Sequence, residues 1–128
     1  MESKNLYTKR HDYTTGSDME TTTVLKKMHR RLVKTLLDVL VLSELRNRAL
    51  SGYDVIAFIH SKFSLLVSSG TVYSLLYSLE RDDLTKGEWA QRKRVYTLTE
   101  KGEATIKAIL NANDKIRYLT TSLLKVQK

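Results

Sequence analysis

The stretch from Ser51 to Gly102, SGYDVIAFIHSKFSLLVSSGTVYSLLYSLERDDLTKGEWAQRKRVYTLTEKG, constrains the fold more than any other part of the chain. Two short amphipathic helical patterns are followed by two strand-like runs that meet at Gln91-Arg92-Lys93-Arg94. Helix, helix and then a basic hairpin is the order of a winged helix-turn-helix. The first of the two helices begins at Ser51, where Ser51-Gly-Tyr-Asp54 fits a capping box: a hydroxyl at the cap and a carboxylate three residues on. Its apolar stripe is Val55, Ile56, Ile59 and Phe63, with His60 beside it. After a turn over residues 64–67, Ser68 or Ser69 caps the next helix, which is predicted to reach Arg81. Val72, Leu75, Leu76 and Leu79 form its buried side, and Thr71, Ser74, Ser78 and part of Tyr73 and Tyr77 face away. Asp82-Asp83 ends it in a polar turn. Residues 84–90 and 93–98 then read as strands.

The flanks suggest how such a domain pairs. Residues 1–24 are polar and poor in branched apolar side chains, which predicts a flexible arm. A helical pattern over residues 24–47 carries a main stripe of Leu32, Leu36, Leu37, Leu40 and Leu45, and Val33, Val39, Val41 and Leu42 widen it to nearly the whole circumference. A helix apolar on most sides needs cover on most sides, which points to a second subunit. A last helix, capped by Thr99, is predicted to run unbroken to about Leu124. Ile109, Ile116 and Leu123 recur every seven residues in it, as do Ala112, Leu119 and Val126. This seam either packs on its own domain or meets a partner. The expected dimer face is Leu36, Leu40, Ile109, Ala112, Ile116, Leu119 and Leu123. The predicted fold class is therefore mainly α with a small β-hairpin wing: an arm (1–24), a winged helix-turn-helix (25–98) and a C-terminal dimerisation helix (99–128).

Composition bounds the partner. The 128 residues include 22 Lys and Arg against 14 Asp and Glu, a net charge of +8, which favours a polyanion, nucleic acid before a membrane surface. The absence of cysteine removes disulfides and thiolate chemistry and fits an intracellular, cytoplasmic protein. No apolar run approaches the roughly 20 residues of a membrane span. No Gly-rich phosphate loop, GxSxG or HExxH is present, and His11, His29 and His60 are scattered without ligand spacing. No enzymatic role, metal or cofactor is expected.

DNA recognition needs small hydrogen-bonding groups at the N-terminal end of a helix that enters the major groove. Ser68, Ser69, Gly70, Thr71, Tyr73, Ser74 and Tyr77 supply that surface. Gly70 allows close backbone approach, and the helix N-terminus offers unpaired N–H groups to a phosphate. Arg92, Lys93 and Arg94 at the hairpin tip reach the DNA backbone or the minor groove. Lys27, Arg30, Arg31 and Lys34 share one face of the first helix, which meets either the DNA backbone or solvent; Arg30 and Lys34 are the candidate DNA contacts among them. Trp89, the only tryptophan, is expected to anchor the hairpin to the body. The outer face of the recognition helix lacks the Arg, Asn and Gln that read bases bidentately, so a sequence-indifferent architectural DNA-binding protein is the rival reading. A dimerising protein-interaction scaffold is a third.

These residues resemble the winged-helix transcriptional regulators of the PadR family. The features in common are an apolar first helix (Leu36 to Leu45), a Gly-Tyr opening (Gly52-Tyr53) and a recognition turn, Ser68-Ser69-Gly70-Thr71-Val72-Tyr73. They continue with Leu79-Glu80, Glu88-Trp89, the basic tip, and Tyr96-Thr97-Leu98-Thr99-Glu100-Lys101-Gly102. The resemblance spans about residues 32–110. It implies a homodimeric repressor on an inverted-repeat operator in double-stranded DNA, in some members released by a small-molecule effector. Ser69 stands where the family commonly has proline, and the single C-terminal helix resembles the short subgroup.

Overall fold

Ser51 joins the sheet to the helices. In the computed structural model, which describes residues 16–125, Leu50–Ser51 form a short strand, β1, and the next residue opens a helix, α3 (Gly52–Phe63). The capping box is complete: the Asp54 N–H donates to Ser51 Oγ at 3.1 Å, and the Ser51 N–H donates to Asp54 Oδ2 at 2.9 Å. Those two bonds satisfy two backbone donors that the first helical turn would otherwise leave open. The hydrogen bond from the Ser51 backbone holds the Asp54 carboxyl below its ordinary pKa. β1 itself is absent from the sequence reading, because two residues carry no periodicity.

The chain divides into two units after Thr35. The first contains helix α1 (Gly16–Thr35). It starts well before the expected Val24, so residues 16–24 of the predicted arm are helical, while residues 1–15 lie outside the described residues. Threonines 21–23 each cost a helix only a few tenths of a kcal/mol relative to alanine, too little to prevent it. Of the residues expected to be apolar contacts on it, Val33 is buried and Leu32 is exposed.

In the second unit, helix α2 (Leu37–Leu45) buries Leu37, Val41, Leu42 and Leu45. The helix expected to be continuous over 24–47 is interrupted at Leu36, with φ −100° and ψ 18°. α3 buries Val55 and Ile59 and ends at Ser64 in the left-handed region, φ 54°. Leu65 and Val67 tuck inward in the turn. Ser68 then caps α4 (Ser69–Arg81), its Oγ accepting from the Thr71 N–H at 3.1 Å. α4 buries Val72, Leu76 and Leu79, an i, i+4, i+7 stripe.

α4 stops in a Schellman motif. Asp83, at φ 64°, takes the left-handed position that glycine usually fills; its N–H reaches Glu80 O, and the Leu84 N–H reaches Leu79 O. This turn feeds the chain into β2 (Thr85–Ala90), which pairs antiparallel with β3 (Lys93–Leu98), as expected from the sequence. The sheet order is β1-β3-β2, so β3 is central: Tyr96 faces Leu50 on one side and Gly87 on the other. Val41, Leu50, Val55, Ile59, Val72, Leu76, Tyr96 and Ile106 are fully buried and make the core.

Thr99 caps α5 (Glu100–Asn111), accepting from the Gly102 N–H at 2.9 Å and donating to Asp83 O at 2.7 Å. A Cβ on Gly102 would run into the Leu84 carbonyl oxygen, so α5 docks directly on the turn that ends α4. The single C-terminal helix predicted from Thr99 is instead two. Ala112, at φ −91° and ψ 14°, separates α5 from α6 (Asn113–Leu123), and its N–H is shared between Ala108 O and Ile109 O.

Two outcomes follow. Asp83→Gly should raise the unfolding free energy by about 1 kcal/mol through relief of left-handed strain, while Gly102→Ala should lower it; denaturant titration checks both signs. Because the Asp54 pKa is depressed on folding, its contribution is present above the ordinary carboxylate range and lost as pH falls through the folded value. Asp54→Asn should therefore show a shallower acid limb of stability against pH, read by thermal melts.

Candidate nucleic-acid interface

The outward side of α4 is built by its cap. Ser68 Oγ accepts from the Thr71 backbone and donates to Thr71 Oγ1 at 2.9 Å. Ser68, Ser69, Gly70, Thr71, Ser74 and Tyr77 are exposed, and Tyr73 is 39% exposed, so the predicted recognition residues share one helix and its entry turn. A Cβ on Gly70 would meet nothing within 4 Å. The glycine is not demanded by the protein's own packing, and the space in front of the helix tip is open.

Tyr73 is fixed from below. A Cβ on Gly52 would collide with the Tyr73 ring, with the phenol oxygen only 2.6 Å away. The Gly-Tyr opening of α3 and the recognition turn of α4 thus form one packed unit, which spacing alone does not reveal. Tyr53, the next residue, is 74% exposed and was not among the sequence candidates. Its signal was the exposed aromatic beside a glycine that another aromatic needs.

The wing tip is the two-residue loop Gln91-Arg92 between the paired Ala90 and Lys93. Gln91 has φ 61°. Arg92 and Lys93 are exposed and take part in no ion pair given by the described residues. Arg94 departs from the expectation that all three cations line the tip. Its Nη2 donates to Glu80 Oε2 of α4 at 2.7 Å, and its guanidinium lies over the Tyr96 ring at 5.8 Å. The reason is the strand: residue 94 lies within β3, on the face it shares with Tyr96, within reach of α4. The bond to Glu80 helps hold the Arg94 pKa above its ordinary value, against the effect of desolvation. Burial pushes the Tyr96 phenol up.

Trp89 also departs from expectation. It is 69% exposed and anchors nothing. Residues 85, 87 and 89 share a face of β2, and the core ends beneath Gly87 and Tyr96, so Trp89, opposite Arg94, overhangs it.

Lys27, Arg30, Arg31 and Lys34 are exposed on α1, in the N-terminal unit. Of the expected dimer face, Leu36, Ile116, Leu119 and Leu123 are exposed, and Leu40, Ile109 and Ala112 are half-buried; Val126 of the heptad series lies outside the described residues. Among the described residues no three His, Asp or Glu side chains cluster to hold a metal, and no helix is long and apolar enough to cross a membrane.

The chain is similar in fold to solved transcriptional regulators. A PadR family regulator from Eggerthella lenta DSM 2243 matches at TM-score 0.69 with 22% identity, over 85% of this chain and 99% of that one. A transcriptional regulator from Clostridium thermocellum matches at 0.65 with 20% identity, over 74% and 96%. Bacillus subtilis PadR, solved in complex with operator DNA, matches at 0.53 with 20% identity, over 70% and 59%. No curated protein matches the sequence. The model of the PadR-like family of transcriptional regulators matches residues 41–108, from the core of α2 through α4 and the hairpin into α5. With that match covering more than half of its length, the chain belongs to the PadR-like transcriptional regulator family.

Proposed function

We propose that this protein is a sequence-specific DNA-binding regulator that represses transcription as a homodimer on an inverted-repeat operator. The reading rests on one observation. The hydroxyl-bearing tip of α4 and the hairpin carrying Arg92 and Lys93 are a single hydrogen-bonded piece, joined through Glu80. Such a piece presents groove-reading groups and phosphate-binding cations to one duplex at once. The operator DNA held by the Bacillus subtilis relative supports the same partner here.

The dimer rests on α6. This helix has 11 residues and buries none of them. An isolated helix of that length is marginal in water, so its apolar side requires cover. Ile116, Leu119 and Leu123 recur at heptad-like spacing on it, past the break at Ala112 that separates them from Ile109. A second copy related by a two-fold axis covers that seam and sets two recognition helices about one DNA turn apart. Leu36 and Leu40 extend the same proposed face.

One observation favours a second reading, a sequence-indifferent architectural DNA protein: no Arg, Asn or Gln lies between residues 68 and 77. Competition between promoter and random DNA separates the two, and equal affinity would favour the architectural role.

With three or four phosphates neutralised per protomer, log affinity should fall against log salt with a slope of about −6. Thr71→Ala and Tyr73→Ala should each reduce the operator-to-random ratio by about tenfold, measured by fluorescence anisotropy. Leu119→Glu should convert the dimer to a monomer by sedimentation velocity and abolish operator binding at concentrations that saturate the unaltered protein. A dimer that survives Leu119→Glu would remove α6 from the interface.

A further inference from the structure

We infer that Glu80 is a specificity-determining positioning residue: it clamps the wing to the recognition helix through Arg94 and keeps that cation away from the phosphates. The inference rests on the DNA-binding reading above and deepens it. A single carboxylate oxygen carries the clamp. Glu80 Oε2 accepts from Arg94 Nη2 on β3 at 2.7 Å and from the Gly87 N–H on β2 at 3.2 Å. One atom of α4 thus holds both strands of the hairpin. Gly87 makes room for it, since a Cβ there would stand 2.6 Å from Arg94 Nε and 2.9 Å from Tyr96 Cε2. Both charged side chains are 30% exposed, and the guanidinium rests on the Tyr96 face.

Charge bookkeeping separates Arg94 from its neighbours. Arg92 and Lys93 are exposed at the tip, and each offers a net positive charge to a phosphate. Arg94 offers almost none, because the carboxylate beside it cancels its field at the distance of the DNA backbone. Phosphate binding releases counterions only for cations that neutralise phosphate, so Arg94 leaves the salt dependence nearly untouched. Its effect is geometric. It sets the angle between hairpin and helix, which decides whether the wing and α4 engage the duplex together. Removing Glu80 does two things at once: the hairpin loosens, and a third cation becomes available to any DNA.

The test compares Arg92→Ala, Arg94→Ala and Glu80→Gln in the full chain, on operator and random duplexes across a salt series. Trp89, the only tryptophan and the cross-strand partner of Arg94, reports the wing in DNA-free protein through its fluorescence anisotropy. Arg92→Ala should make the salt slope shallower by about 2 in a dimer, one contact per protomer, with Trp89 unchanged. Arg94→Ala should leave the slope as it was, lower the operator-to-random ratio about tenfold and make Trp89 more mobile. Glu80→Gln should mobilise Trp89, tighten binding to random DNA and steepen the slope. Thermal melts alongside show whether any variant has simply unfolded. If one has, Arg94→Lys, which keeps the charge and one donor, takes its place and should restore part of the ratio. A slope as shallow in Arg94→Ala as in Arg92→Ala would overturn the inference, as would a Glu80→Gln protein with unaltered Trp89 mobility and random-DNA affinity. Failure of the unaltered protein to bind any duplex would overturn the DNA-binding reading itself, and the inference with it.

Discussion

The winged unit depends on where β3 lies. Its buried Tyr96 stands between Leu50 and Gly87, so one strand joins the two halves of the sheet. Each neighbour transmits that position. Through β1 it reaches Ser51 and the capping box that starts α3. Through β2 it sets the wing, and through Leu98 and Thr99 it starts α5 against the end of α4. Burying a large side chain contributes about 1.5–3 kcal/mol, and here the same burial also fixes the relative placement of four elements.

What was legible in the sequence and what was not divides by distance along the chain. Ser51 and Thr99 were recognisable as caps, and Ser68 as one of two adjacent serines, because a cap bonds to a residue only three positions away. The stripe of α4 and the two wing strands were legible for the same reason, since periodicity is local. The pairing of Arg94 was invisible because its partner, Glu80, is 14 residues earlier and carries no mark of it. Trp89 was misread because the edge of the core beneath it is set by Tyr96 and Gly87, a tertiary fact. The interruptions at Leu36 and Ala112 involve backbone angles open to every residue type, and the chain has no proline to announce them.

The candidate interface was legible in outline more than in mechanism. The expected hydroxyls of α4 and the two outermost cations of the hairpin are exposed, as the proposed interface requires. The support beneath them, Gly52 under Tyr73 and Glu80 under the hairpin, came only from the coordinates. A buried glycine and a carboxylate are easily passed over in a search for DNA ligands, because neither side chain offers a positive charge. In the proposed interface they set how firmly the neighbouring groups are held.

Gly70 sits at the tip of α4 with nothing of its own protein in front of a would-be side chain. The fold itself therefore sets no steric limit on a Cβ at that position. In the proposed complex, a substitution at residue 70 would meet the DNA before it met the interior of its own protein.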